Sequence, residues 1–207
     1  MSESTDGREA RKQYMRHRQT MVFTTIGAVL VVAMIVSLLF FFHVGGLGKV
    51  ETAADEPNFG YPAPCVQTEG SDSQVTYLAN NAVTVRVLNG TSSTGFAQAV
   101  GSALENREFV LQGVDNYSSS DVERTIIRFG KNAIPEAYTL VSNFSDAYLQ
   151  MDDRTDKLVD VILGASFNNL VDTDDVPKTG SVIPNIEGCV AADQLTDVPK
   201  ADEHTAV

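Results

Sequence analysis

The hydrophobic positions of the chain follow different patterns in two regions. Residues 21–44 are an unbroken apolar run without a formal charge, whereas residues 75–171 contain short alternating and helical patterns. At about 1.5 Å per residue the apolar run reaches roughly 36 Å as a helix, which is enough to cross a hydrocarbon core of about 30 Å. The pattern therefore predicts a transmembrane helix over residues 20–44, with the lipid bilayer as a partner.

Charges on either side of this run predict its orientation. Five basic residues precede it, and Lys49, the first basic residue after it, is followed by acids. Because positive flanks stay inside, we expect residues 1–19 to be a cytoplasmic basic tail and the rest of the chain to be extracytoplasmic. A cleaved signal peptide is the alternative, but its apolar core is about 7–15 residues long and ends in small residues. This run ends in the bulky residues 38–42.

The segments that flank the patterned region lack apolar periodicity. Residues 45–74 contain Pro, Gly and scattered acids, and residues 172–207 are polar and acidic. Such compositions are typical of linkers and tails, so we expect a linker over 45–74 and an acidic C-terminal tail over 172–207. The remaining residues 75–171 have the size of one domain.

Two cysteines lie outside the patterned region, Cys65 in the predicted linker and Cys189 in the predicted tail. In an oxidising compartment an even pair favours a disulfide, which would tie the tail back to the domain. Two free thiols or an intermolecular bond are the alternatives. Closing a loop of 125 residues contributes on the order of 4–5 kcal/mol in the chain-entropy model.

The order of patterns within residues 75–171 predicts the fold. Alternating apolar positions indicate strands at residues 83–88, 109–114, 124–129 and 158–163. Apolar spacing of three and four indicates helices after Gly95 and from Pro135 to Met151. The order β-α-β-β-α-β favours an α+β, ferredoxin-like split βαβ domain, with a four-stranded antiparallel sheet and both helices on one face. We expect the open face to carry Thr84, Arg86 and Arg128 or their sequence neighbours, since the pattern leaves the register open.

Charge and histidine content narrow the function. The chain has 15 Lys and Arg against 27 Asp and Glu, a formal charge of −12, which argues against nucleic-acid binding. His17, His43 and His204 lie outside the patterned domain, so neither Ser-His-Asp catalysis nor the usual metal sites are indicated. We expect no catalytic residue, no metal and no cofactor. Carboxylate pairs are so abundant beyond the span that they carry no signal, and glycoside hydrolysis stays an alternative.

The turn after the first predicted strand carries a candidate binding motif. Its residues are Asn89, Gly90, Thr91, Ser92, Ser93 and Gly95. Their spacing matches the start of a phosphate loop, but Phe96 and Ala97 stand where Lys and Ser or Thr are required. One interpretation is an anion- or sugar-binding turn at a helix N-terminus. The alternative is a short connection with Asn and Gly at positive φ and a Ser or Thr helix cap.

Three ordered motifs resemble the C-terminal domain of LytR/CpsA/Psr proteins, called LytR_C. They are residues 85–91 with 94–97 and the following helix, then 125–130, then 159–167. Ser166 departs from the Asp usual in the family. The resemblance covers residues 82–170, and the chain has no room for the larger catalytic domain that attaches polymers to peptidoglycan. The arrangement of basic tail, one span and this domain is similar to that of actinobacterial envelope proteins.

The resemblance implies a role without enzymatic activity. It implies a single-pass cell-membrane protein whose extracytoplasmic domain supports cell-wall and cell-envelope integrity by binding peptidoglycan, another wall polymer or envelope partner proteins. The alternatives are an enzyme or enzyme subunit that acts on wall glycans through carboxylates, and a small-ligand sensor. A role in transcription is not expected, because the domain is acidic and lies outside the cytoplasm.

Overall fold

Residues 3–42, 56–67 and 74–207 are described by the structure, a computed structural model. The chain divides into two units, Met1–Glu51 and Thr52–Val207. The first contains helix α1 (Glu3–Phe41), whose segment Gln19–Phe41 is long and apolar enough to cross a membrane. This confirms an apolar N-terminal helix. Its orientation and any cleavage stay predictions, and residues 43–44 of the predicted span lie outside the described residues.

The second unit is a mixed α/β domain. Its strands and helices are β1 (Thr84–Asn89), α2 (Phe96–Asn106), β2 (Val110–Asn116), β3 (Ile126–Gly130), α3 (Ile134–Val141), β4 (Tyr148–Asp152) and β5 (Val159–Leu163). They form one five-stranded sheet in the order β2-β1-β5-β3-β4. β1 is parallel to β2 and β5, and β3 is parallel to β4 but antiparallel to β5. The four predicted strands are present as β1, β2, β3 and β5, with ends shifted by up to two residues.

This topology contradicts the predicted four-stranded antiparallel split βαβ sheet. In a split arrangement another strand separates the two strands that a helix connects, whereas here β1 and β2 are direct neighbours, and so are β3 and β4. The error comes from the second helix. It ends at Val141, where the Asn143 and Phe144 N–H groups bond to the Leu140 and Val141 carbonyls in tight turns, and residues 148–152 form β4 instead. The apolar spacing there fits a strand as well as a helix.

Helices α2 and α3 pack on one face of the sheet, as expected. The core on this side combines Val100 and Leu104 of α2 with Leu140 of α3 and the strand residues Phe129 and Val161. Leu104, Leu140, Phe129 and Val161 are fully excluded from solvent. Burial of this kind contributes roughly 25 cal/mol per Å² of apolar surface, so the helix-side core is the main source of folding free energy.

Two segments outside the sheet pack onto the domain, and a disulfide joins the first of them to Cys189, the residue directly before the second. We call residues 56–67 the N-terminal arm and residues 190–207 the C-terminal arm. The predicted Cys65–Cys189 disulfide is confirmed. Beside it the Cys65 N–H donates to the Val190 carbonyl, and the Val190 N–H donates to the Ala63 carbonyl. Residues 45–55 and 68–73 of the predicted linker lie outside the described residues, and the predicted domain boundaries stay predictions.

Candidate binding face

One row of residues crosses the whole sheet on the face opposite the helices. Strand pairing aligns Gly113, Arg86, Asp160, Arg128 and Gln150 across β2, β1, β5, β3 and β4. Successive side chains along a strand point to opposite faces, and the sequence neighbours of Arg86, Asp160, Arg128 and Gln150 belong to the helix-side core. We call these five residues the polar row.

Asp160 lies at the centre of the polar row between two guanidinium groups. Arg86 donates from Nε and Nη2 to the two carboxylate oxygens at 2.9 and 2.7 Å. Arg154 donates from Nη2 to Asp160 Oδ2 at 2.8 Å and to Asp152 Oδ2 at 2.7 Å. The side chains of Asp160, Arg154 and Asp152 are almost fully buried. Bidentate, charge-assisted bonds of this kind are the strong class of hydrogen bond, so they fix these side chains in place.

Opposing effects set the ionisation of this cluster. Burial by itself would raise the pKa of Asp160, but hydrogen bonds from Arg86 and Arg154 outweigh it and hold that pKa below its ordinary value. Burial likewise opposes the charge of Arg154, yet its hydrogen bonds to Asp152 and Asp160 raise its pKa above the ordinary value. A carboxylic acid that donates protons in catalysis needs the opposite shift, toward neutral pH. Asp160 is therefore ionised at neutral pH and suited to holding arginines.

Arg128 occupies the row beside Asp160 and has a different set of partners. Its Nε and Nη2 donate to Gln150 Oε1 at 3.1 and 2.8 Å, and its Nη1 donates to the Tyr117 hydroxyl at 3.2 Å. Nη1 also bonds to Asp202 Oδ2 at 2.8 Å. Within the described ranges, Asp202 is the only carboxylate that forms an ion pair with Arg128. The counter-charge of this arginine thus comes from the C-terminal arm.

The C-terminal arm crosses the sheet along the polar row. Asp202 contacts Arg128 on β3, the Glu203 carbonyl accepts from Arg86 Nη1 on β1 at 2.7 Å, and the Thr205 carbonyl accepts from Gln112 Nε2 on β2 at 2.7 Å. The face expected to be open is therefore covered, and the side chains of Arg86 and Arg128 are only 15% and 10% exposed. A shallow groove of about 790 Å³ remains between the arm and β2.

A second, apolar row lies next to the polar row and is covered by the N-terminal arm. It consists of Leu88, Ile162, Ile126 and Tyr148. The Tyr61 ring stacks on Tyr148 with centroids 4.0 Å apart. At the sheet edge the Asn58 amide bonds to both the N–H and the carbonyl of Leu149, and so takes the place of a neighbouring strand. The two arms thus divide this face between them.

The predicted binding turn lies at the end of β1, and its polar groups bond mainly to one another. Asn89 Nδ2 donates to the Ser93 carbonyl, and Asn89 Oδ1 accepts from the Thr91 N–H and hydroxyl. Gly90 packs so closely that an added Cβ would overlap the Leu163 carbonyl. Gly95 has φ +78° and precedes α2 without a side-chain cap, so the expected Ser or Thr cap is wrong. A binding role for this turn stays a prediction.

Asp146 is a buried carboxylate outside the polar row. Its Oδ2 accepts from the hydroxyls of Thr125 at 2.8 Å and Ser166 at 2.7 Å, which explains how a serine is accommodated at position 166. Its Oδ1 has no hydrogen-bond partner among the described residues. The described part of the chain also holds no cluster of His, Cys, Asp and Glu arranged for a metal ion.

The sequence contained a signal for the polar row that composition and motif reasoning missed. Arg86, Arg128 and Asp160 each stand alone in the middle of an apolar strand. A charged residue at such a position must find a partner on an adjacent strand if its face is covered. The order of the strands decides which partner it meets, and the sequence alone predicted that order incorrectly.

Comparisons with known proteins agree with the motifs. Residues 82–167 match the LytR_C family model, described as LytR cell envelope-related transcriptional attenuator. Among solved structures, the soluble domain of a conserved hypothetical secreted protein from Mycobacterium marinum is 30% identical. That match covers 55% of this chain and 79% of the other, with a TM-score of 0.45. No curated protein sequence matches the chain.

Proposed function

Because this chain belongs to the LytR_C family through residues 82–167, we propose that it is a non-enzymatic module of the cell envelope. In this proposal α1 anchors it in the membrane with the N-terminus in the cytoplasm. The domain stands outside the cytoplasm and supports envelope integrity by binding wall polymer or envelope partner proteins. The family description names the cell envelope, and the structural relative is described as secreted.

The observation that carries the proposal is the disulfide beyond the apolar helix. Cys65 and Cys189 are bonded across 124 positions of sequence, and both follow the segment Gln19–Phe41. Disulfides persist in oxidising, extracytoplasmic compartments and are rare in the reducing cytosol. A domain closed by such a bond, on a chain with an apolar helix at its start, fits the outer side of a membrane.

Two surfaces are candidates for the contact, and the polar row is favoured over the turn of residues 89–95. The turn commits Asn89 and Thr91 to internal hydrogen bonds. In the polar row, Arg86 and Arg128 instead donate hydrogen bonds to the C-terminal arm, which contains no buried residue. Substitution of Ser92 tests the turn and substitution of Arg128 tests the polar row, and the same binding assay on both variants shows which surface makes the contact.

Two assays on the full chain test the proposal. In spheroplasts, added protease is expected to digest a C-terminal tag without lysis, and a thiol-blocking gel shift is expected to find Cys65 and Cys189 oxidised. In detergent, the full chain is expected to sediment with purified cell walls or with envelope membranes. A tag that is protected until lysis, or thiols that react in intact cells, would overturn the topology.

Wall hydrolysis is the alternative, and Asp146 is the residue that favours it, because one buried carboxylate oxygen lacks a partner among the described residues. Under this alternative the full chain releases soluble sugars from cell walls, and Asp146→Asn abolishes the release. Under the proposal no sugar is released above a blank, and Asp146→Asn leaves sedimentation with walls unchanged.

A further inference from the structure

The polar row carries more positive charge than the sheet itself neutralises. Within the described part of the chain, Arg86, Arg128 and the adjoining Arg154 face only two buried carboxylates, Asp160 and Asp152. Asp160 pairs with Arg86 and Arg154, and Asp152 pairs with Arg154, which leaves Arg128 without an anionic partner from the sheet. A largely buried guanidinium without a counter-charge is costly, so this position favours an anion.

The C-terminal arm supplies that anion from its last residues, which lie at the surface, whereas Ala192, Leu195 and Val198 of the arm pack against the helix-side core. Its residues 199–207 are all exposed or half-buried, and the Asp202 side chain is 35% exposed. Its other anchors are polar: the Ala201 N–H donates to Asp153 Oδ1, and His204 Nε2 lies 2.7 Å from Asp156 Oδ2. The His204 and Asp156 side chains are each 13% exposed, whereas the Ala201 contact is exposed, and an exposed polar contact contributes little. Residues 199–207 can therefore leave the row without unfolding the helix-side core.

The disulfide limits how far a released arm can go. Val190 stays beside Pro64 through a backbone bridge, and Cys189 is bonded to Cys65. The segment after it is a short tether, which keeps the arm at high effective concentration near the row. An outside ligand must therefore compete with a segment that is always present.

The contacts identify the chemical class of that ligand. The row and its neighbour Gln112 recognise one carboxylate, from Asp202, and two main-chain carbonyls, from Glu203 and Thr205. Carbonyls spaced along an extended backbone are a feature of peptides, and a polyphosphate lacks them. The arrangement of donors thus suits an extended acidic peptide better than another polyanion.

We propose that the polar row is a binding face for an extended acidic segment of a partner protein, and that the C-terminal arm of the chain occupies this face when the partner is absent. This inference rests on the proposed envelope function and names the partner class for it. Binding exchanges one acidic segment for another, so Arg128 always keeps a counter-charge.

A fluorescent peptide of residues 197–207 tests the proposal on the chain in detergent micelles. A chain that ends at Val198 is expected to bind this peptide about tenfold or more tightly than the full chain, because the arm no longer occupies the row. Arg128→Gln in the shortened chain, or Asn in place of Asp202 in the peptide, is expected to abolish this gain. Lys131→Gln removes an exposed positive charge away from the row and serves as the matched control, with binding unchanged.

Several results would overturn the proposal. The first is equal binding of the peptide by the full and the shortened chain. The second is equal binding of the peptide with Asp202 and the peptide with Asn at that position. The third is displacement of the labelled peptide by inorganic polyphosphate at a lower concentration than by unlabelled peptide. If the shortened chain does not fold, the full chain with Asp202→Asn is used instead, and its binding must exceed that of the unchanged chain. Failure of peptide binding leaves the spheroplast and wall-sedimentation results as they stand, so the two proposals fail separately.

Discussion

The two faces of the central sheet are stabilised in different ways. The helix side buries apolar side chains such as Leu104 and Val161 beneath α2 and α3. The opposite side is covered by the two arms, and its polar half is held by arginine–aspartate pairs. Apolar burial favours folding directly, whereas a buried ion pair must first offset the cost of removing its charges from water. The helix side therefore makes the fold, and the arm side can be used for recognition.

The disulfide is expected to have the largest effect, because it holds both arms against the second face. Replacing Cys65 and Cys189 together by Ala is expected to lower the free energy of unfolding by about 4–5 kcal/mol. Hydrogen exchange at the Cys65 and Val190 amides is expected to rise before that of α2. Chemical denaturation measures the loss, with the unchanged chain in reductant as control. A loss below about 1 kcal/mol would show that the arms need no covalent link.

The second-largest loss of stability is expected when the ion pairs at the centre of the polar row are broken. Asp160→Asn leaves Arg86 without a carboxylate partner and Arg154 with Asp152 alone, and it is expected to cost about 3–5 kcal/mol. Asp174→Asn, at an exposed position in the predicted tail, is the matched control and is expected to change stability by less than about 0.5 kcal/mol. Equal denaturation midpoints for the two variants would mean that the row contributes nothing to the fold.

The same aspartate predicts a pH dependence. The pKa of Asp160 is lowered in the folded protein from its ordinary value of 3.8. Its contribution to stability is therefore fully present above that ordinary value and is lost as the pH falls through the folded pKa. Denaturation measured at falling pH is expected to show a smaller acid loss for Asp160→Asn than for the unchanged chain. Parallel pH profiles would contradict the assigned ion pairs.

A substitution in the helix-side core tests whether the two faces of the sheet act separately. Leu104→Ala is expected to cost about 2–5 kcal/mol, because it opens a cavity in a fully buried core. When Leu104→Ala is made in the chain that ends at Val198, binding of the peptide of residues 197–207 is expected to be retained under conditions where the variant stays folded. Loss of binding from folded Leu104→Ala would mean that the two faces are not separable.

The smallest effect on stability is expected at the arm. Asp202→Asn is expected to change the free energy of unfolding by less than about 1 kcal/mol, because Asp202 is partly exposed and release of residues 199–207 lets water reach Arg128. Hydrogen exchange of the Ala201 and Asp153 amides is nevertheless expected to rise, because each bonds across the contact between the arm and the domain. A large global destabilisation would show instead that the arm is part of the fold.

The sequence predicted those elements that depend on local pattern. The apolar helix, the disulfide, the LytR_C motifs and four of the five strands follow from residue type and spacing. β4 was missed because Leu149 and Met151 continue the helical spacing of α3, and only the tight turns after Val141 decide between helix and strand. The polar row depends on strand order, which brings Arg86 of β1 and Arg128 of β3 beside Asp160 of β5. That information is not local.

Photo-crosslinking in intact cells tests most directly whether recognition occurs on the arm side of the sheet. A photoreactive residue is placed at Gln112, beside the polar row, and in a second strain at Gln98, an exposed position on α2. We expect envelope protein adducts at Gln112 that increase when the chain ends at Val198, and only background at Gln98. Adducts at Gln98 with none at Gln112, in both the full and the shortened chain, would contradict the account.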